Sequence, residues 1–294
     1  MGNLTFYIVD VFAEEKFTGN QLAIVKDADG LSNIKMQQIA REINFSETTF
    51  ILSNEKRNGG YDVRIFTPKE EVPFAGHPAL GTAYVIQHEI IKKPVETIIL
   101  NFKIGQIPVN LNDIRGVLWM KQKSATLGMV FDAGIISDVL NIDASDIDHI
   151  YPVREVSTGL PFIIVPIKTL EALKKSRIDR EKYFELIRNS HAKALLVFCP
   201  ETIQAENDIN VRVFAQYYGI TEDPATGSGN GCLAGYLVKY NYFKSRKIDI
   251  RVEQGFEIGR PSLIYLRGEE KVGEIEVLVG GKVQIVASGE FVDI

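Results

Sequence analysis

Four histidines occur in this 294-residue chain, and one of them, His77, stands in Phe74-Ala75-Gly76-His77-Pro78-Ala79-Leu80-Gly81. Gly76 permits close backbone approach, and Pro78 suits an opening helical turn, where an N–H has no partner to lose. Such a helix start offers free backbone donors to a carboxylate or phosphate, with His77 beside it to donate or to handle a proton. Taken by itself, His77 serves either as a cap or as a ligand group. A second stretch of the same kind is Glu222-Asp223-Pro224-Ala225-Thr226-Gly227-Ser228-Gly229-Asn230-Gly231. It is denser in small hydroxyls and glycines and forms another anion cradle. Asp223 precedes a proline and is therefore extended, in a loop. The third candidate is Glu47 in Asn44-Phe45-Ser46-Glu47-Thr48-Thr49-Phe50. A carboxylate held among apolar side chains takes and returns a proton near neutral pH, whereas a solvated glutamate does not.

The elements that must position these residues follow from local pattern. Apolar residues Met36, Ile39, Ala40 and Ile43 behind Ser32 predict a helix over about 33–44, so Glu47 lies between a helix end and a strand at Thr48–Leu52. His77 opens a helix carrying Ala79, Leu80, Ala83, Tyr84 and Ile86, and Gly227–Val238 forms another. Residues 121–145 read as a polar stretch, Glu70-Glu71 as a solvated turn, the 179–189 charges as an exposed helix face, and Gly280-Gly281 as a hairpin turn. Gly231 and Gly235 suit close helix packing.

Composition narrows the classes. The chain is 45% hydrophobic, with 33 Lys+Arg against 38 Asp+Glu, an ordinary globular balance with no broad basic surface for nucleic acid or anionic membrane. Two cysteines, Cys199 and Cys232, form neither a disulfide scaffold nor a zinc knuckle, which fits a reducing cytoplasm. The longest apolar run, Leu160–Ile167, is far shorter than the roughly 20 residues of a membrane helix, and the opening residues up to Phe12 carry no basic leader. A Rossmann phosphate loop would need its third small residue at Cys232 and a parallel βαβ unit around it, and a Walker loop lacks its Gly-Lys-Ser/Thr.

Thr18-Gly19-Asn20-Gln21-Leu22-Ala23-Ile24-Val25 parallels Thr158-Gly159-Leu160-Pro161-Phe162-Ile163-Ile164-Val165, and Ala75-Gly76-His77 with Ala83 parallels Thr226-Gly227-Ser228 with Ala234. Two matches in the same order predict two similar α+β halves, each a mostly antiparallel sheet wrapped on a helix, with a boundary near 115–125.

Gly19-Asn20-Gln21-Leu22-Ala23, Phe45-Ser46-Glu47-Thr48-Thr49-Phe50, Phe66-Thr67-Pro68, Phe74-Ala75-Gly76-His77-Pro78 and Glu222-Asp223-Pro224-Ala225-Thr226-Gly227-Ser228 occur in the order found in one family. Over essentially its whole length the chain resembles the PhzF-like phenazine-biosynthesis isomerases. That resemblance implies the diaminopimelate epimerase-like fold, two pseudo-symmetric halves of 1–118 with about 283–294 and of 119–282, and an active site in the cleft between them. It implies Glu47 as the base that moves a carbon-bound proton along a small carboxylate such as a dihydro-hydroxyanthranilate, with His77 and Asp223 holding substrate and orienting protons. Ser46, Gly76, Gly227 and Ser228 are the implied substrate-binding residues. No metal or cofactor is implied, and a cytoplasmic homodimer is. The cysteine pair of the related epimerases would fall at Ala75 and Thr226, which disfavours two-thiol racemisation. A non-catalytic small-anion binder and a lyase or hydratase using the same base remain alternatives.

Overall fold

The computed structural model describes residues 2–294. In chain order its strands and main helices are β1 (Leu4–Val11), β2 (Asn20–Val25), α1 (Asn33–Ile43), β3 (Thr48–Ile51), β4 (Tyr61–Phe66), β5 (Glu71–Val72), α2 (Gly76–Val85), β6 (Thr97–Phe102), β7 (Gly105–Asn110) and β8 (Leu118–Lys121). There follow β9 (Thr126–Val130), α3 (Ala133–Leu140), β10 (Arg154–Ser157), β11 (Pro161–Pro166), α4 (Leu170–Lys175), α5 (Arg180–Leu186), β12 (Leu195–Cys199), β13 (Ile209–Ala215), β14 (Ile220–Asp223) and α6 (Gly227–Lys239). The chain ends with β15 (Lys247–Gln254), β16 (Ser262–Lys271), β17 (Glu274–Gly281) and β18 (Val283–Phe291). Two compact units result. The first runs to Met120 and takes in Gly280–Ile294, and the second is Lys121–Val279. No helix among the described residues is long and apolar enough to cross a membrane.

In the first unit β18 and β2 flank β1 antiparallel, β2 runs parallel to β3, β3 antiparallel to β4, and β4 parallel to β6. The second unit repeats this order: β9 and β11 flank β10 antiparallel, β11 runs parallel to β12, β12 antiparallel to β13, and β13 parallel to β15. Each sheet curls round a helix that is apolar on nearly every side, as a helix must be when strands surround it. From His77 to Ala83 every residue of α2 is buried, and from Gly229 to Val238 every residue of α6 is.

Register makes the duplication residue-specific. Ala23 faces Thr48 as Ile163 faces Leu195, Thr48 faces Phe66 as Leu195 faces Phe214, and Tyr61 faces Leu100 as Ile209 faces Val252. A third repeat follows, Val63-Arg64-Ile65-Phe66 against Val211-Arg212-Val213-Phe214. Each arginine stacks on the phenylalanine two residues ahead and makes a two-pronged ion pair with a glutamate on the short strand leading to the central helix.

Several expectations are corrected. Glu71 is no solvated turn residue, because Arg64 grips both its oxygens at 2.8 Å and Lys103 adds a third contact. The polar stretch holds β9, whose side chains are mostly exposed, and α3, whose Ile136, Val139 and Leu140 join the core of the second unit. Gly280 and Gly281 close a strand without positive φ. A Cβ on Gly280 would come within 2.7 Å of the Trp119 ring, and one on Gly281 would strike Phe12, so close packing is their role.

Candidate functional site

In the first unit α1 stops at Asn44, whose left-handed φ of 57° ends the helix and turns the chain through Phe45 and Ser46 into β3. Glu47 is the last residue before that strand. Thr48 and Thr49 behind it are buried, and Thr49 shares a 3.0 Å hydroxyl contact with Thr82 of α2. The neighbouring α2 begins at Gly76 with Ala75 as a cap that contributes no side-chain hydrogen bond. This brings His77 Nε2 to 3.5 Å from Glu47 Oε2, with the two side chains only 8% and 18% exposed. Ser46 and Gly76 are half-buried beside them.

That contact is not an ion pair at neutral pH. Burial drives the imidazole pKa down to about 3, opposed only by the hydrogen bond it gives to the Gln21 backbone carbonyl. Nε2 has no hydrogen-bond partner, so the bond to Gln21 comes from Nδ1. The neutral ring therefore carries its proton on Nδ1 and turns the Nε2 lone pair toward Glu47. A proton delivered to either group has the other within reach. A neutral imidazole thus lies against a carboxylate in a mostly buried setting.

In the second unit Asp223 ends β14 and lies buried, four residues before α6 as Val72 lies four before α2. Its Oδ2 accepts the Thr226 hydroxyl proton. Gln254, fully buried at the end of β15, accepts the Thr226 N–H at 3.1 Å and the Asn230 amide at 2.9 Å, and donates to the Asp223 carbonyl at 2.7 Å. Gly255 follows with φ of 80°, and a Cβ there would come within 2.5 Å of the Pro224 carbonyl oxygen, so β15 can pass this close only as glycine. Gly227 opens α6 and its carbonyl accepts from Gln122 at 3.2 Å, while Ser228 is half-buried in the first turn.

Glu47, His77, Ser46 and Gly76 thus gather in the first unit, and Asp223, Gly227 and Ser228 in the second. Sequence reasoning missed Gln21, Gln254 and Asn230. Glu222, adjacent to Asp223, is bound to Arg212 and belongs to the scaffold. Gly229, Gly231 and Gly235 face Phe162, Gln122 and Ala125 so closely that close packing accounts for all three. Cys232 is buried in α6 and its thiol pKa is pushed up to about 11 by desolvation, which makes it a poor nucleophile.

The family described as phenazine biosynthesis-like protein matches residues 9–289. The trans-2,3-dihydro-3-hydroxyanthranilate isomerase of Pseudomonas aeruginosa is 33% identical over 94% of this chain and 95% of its own. A Bacillus anthracis phenazine biosynthesis protein of the PhzF family superposes with a TM-score of 0.92 at 25% identity, covering 99% of this chain and all of the other. A probable proline racemase from Agrobacterium radiobacter, 10% identical, shares the fold with a TM-score of 0.62 over 99% of this chain and 93% of its own. Two curled half-sheets of the racemase and epimerase type and whole-length likeness to named isomerases place this chain among the isomerases of the PhzF-like, phenazine biosynthesis-like family.

Proposed function

We propose that this isomerase moves a carbon-bound proton within a small carboxylate-bearing metabolite, with Glu47 as the base and without metal or cofactor. The pairing of Glu47 with a neutral, desolvated imidazole at the mouth of a buried helix carries the reading. One carboxylate serves a same-face proton shift because it can return at one carbon the proton it took from another. His77, neutral and with its Nε2 toward Glu47, helps hold the substrate and orient that proton. The open N–H groups of Gly76 and Gly227, with the hydroxyls of Ser46 and Ser228, bind the substrate carboxylate, and Asp223 orients the substrate. The named activity of the Pseudomonas relative supplies the first substrate to try, trans-2,3-dihydro-3-hydroxyanthranilate.

The test is deuterium incorporation into that compound, and into a panel of small cyclic and amino carboxylates, in D2O by mass spectrometry. Glu47→Gln should lower incorporation by about 10³-fold while leaving thermal stability unchanged. Wild-type rates in Glu47→Gln would remove Glu47 as the base. A wild-type protein that binds panel members and exchanges none of their protons would support the binding reading, and a product lighter than its substrate by water or ammonia would mark a lyase.

A further inference from the structure

We infer that Thr226 and Gln254 are positioning residues for Asp223, locked in one hydrogen-bond polarity that aims the Thr226 hydroxyl proton at the Asp223 carboxylate. The inference rests on the reading that Asp223 works on the substrate. The chain of bonds has no freedom to reverse. The Thr226 N–H can only donate and takes Gln254 Oε1 at 3.1 Å, which turns Gln254 Nε2 to the Asp223 carbonyl at 2.7 Å and to Thr226 Oγ1 at 3.0 Å. Thr226 Oγ1, already accepting from Gln254, sends its own proton to Asp223 Oδ2. Asn230 fixes the amide from the far side, giving one amide N–H contact to Gln254 Oε1 at 2.9 Å and another to the Thr226 carbonyl at 3.1 Å. A flipped Gln254 would set donor against donor at Thr226 N and acceptor against acceptor at the Asp223 carbonyl.

The first half supplies the control. By strand register and helix position, its residues at the places of Thr226, Asn230 and Gln254 are Ala75, Ala79 and Phe102, and at the place of Asp223 it has Val72. The polar network is present in the half that has the aspartate and replaced by apolar side chains in the half that lacks it. Helix and sheet close round α2 without it, so the fold does not require it.

Arg212, Glu222 and Glu253 lie on the strands that carry or adjoin Asp223. Arg212 and Glu222 hold each other, and Glu253 accepts from the Ile203 and Gln204 N–H groups and the Asn207 and Asn210 amides. The Thr226 hydroxyl, which gives its proton to Asp223 Oδ2, is the group to remove.

Two readouts test this, one free of substrate. Carbon-13 NMR of aspartate-labelled protein, with the Asp223 resonance assigned by its loss in Asp223→Asn, follows the carboxyl titration. Thr226→Val should move the Asp223 midpoint up by about one pH unit, because a hydrogen bond to the ionised form is lost, and Thr226→Ser should restore it. Gln254→Glu, nearly isosteric, should move it the same way by drawing the threonine proton to itself. In the deuterium assay with trans-2,3-dihydro-3-hydroxyanthranilate, Thr226→Val should lower kcat about 10- to 100-fold with little change in KM, and Thr226→Ser should recover most of it. An unmoved midpoint in both Thr226→Val and Gln254→Glu overturns the inference, as does wild-type kcat in Thr226→Val. Wild-type turnover by Asp223→Asn, by contrast, defeats the reading of Asp223 itself, and the titration still decides the polarity of the network.

Discussion

The two halves fold alike and differ in the polar side chains gathered at the starts of their central helices. Around the start of α2 the first half places Ala75, Ala79 and Phe102, with Phe102 edge-on to Phe74, and sets Glu47 against His77 in that apolar setting. Around the start of α6 the second half places Thr226, Asn230 and Gln254 and ties Asp223 to them. Where the first half has Glu47, strand register gives the second Ala194, and where the first has His77 the second has Ser228. One duplicated frame therefore carries two carboxylates at two different places. The first sits beside a neutral imidazole whose Nε2 has no hydrogen-bond partner, and the second is held by hydrogen bonds in a single orientation.

The Arg–Glu pairs beside the two helices offer the largest test of this division. Arg212 and Glu222 are 5% and 8% exposed, and Arg212 also donates to the carbonyls of Leu173 and Ser176. Arg64 and Glu71 are 20% and 14% exposed, with Lys103 helping to neutralise Glu71. Removing one partner of a buried pair strands the other. Arg212→Ala should cost about 3–5 kcal/mol in urea unfolding, and Arg64→Ala, with solvent and Lys103 able to serve Glu71, about 1 kcal/mol. Equal losses would show that both halves depend on the pair alike and that burial does not separate them.

How much of this was legible in the chain depends on distance along it. Glu47, His77 and Asp223 could be singled out because the residues that make them notable are their neighbours: a helix end, a Gly-His-Pro opening, an Asp-Pro step. The strands β2 and β11 and the helices α2 and α6 were legible for the same reason, since a glycine turn followed by an apolar run is a local signal. The Val-Arg-x-Phe repeat passed unnoticed because it contains no turn residue to mark it. Gln254 lies 28 residues from Thr226, and Gln21 acts through its backbone, so neither has a signature that side-chain type could reveal. Within 121–145, α3 was missed because a short helix with half its face in solvent reads as polar, and β9 because an exposed strand has no buried alternation to detect.

The middle-sized effect concerns acid. His77 is held near a pKa of about 3 against 6.5 when unfolded, so the unfolded chain binds the extra proton first as pH falls. The stability it contributes is complete above pH 6.5 and is lost below it at about 1.4 kcal/mol per pH unit. Glu71, lowered by Arg64 from 4.5, has the opposite chemistry but the same direction of loss, and its share disappears only at and below about pH 4.5. Between pH 6.5 and 4.5 the loss therefore belongs to His77 and amounts to about 3 kcal/mol. Urea midpoints of wild type and His77→Gln across that window should diverge, the variant staying flatter. Ser228 gives the second half no such group, so parallel curves for the two proteins would remove the asymmetry argued for the helix starts.

The smallest effect tests the helices below their starts. A Cβ on Gly81 would come within 2.7 Å of Leu22 Cδ2, 3.0 Å of a Val11 methyl and 3.2 Å of a Val9 methyl. These are side-chain tips on strands, and leucine at least can rotate away. A Cβ on Gly235 would collide with the Cβ of Ala125, an atom that moves only with its backbone. Alanine gains about 1 kcal/mol of helix propensity at either position, and overpacking costs about 1–3 kcal/mol. Gly81→Ala should consequently come out near neutral and Gly235→Ala destabilised by about 1–2 kcal/mol in urea. The difference separates the two halves, because a helix whose sheet cannot yield holds Asp223 and Thr226 in fixed register, whereas one gripped by rotatable side chains leaves room for His77 to shift against Glu47. A larger loss in Gly81→Ala than in Gly235→Ala would reverse that assignment and make the first helix the rigid one.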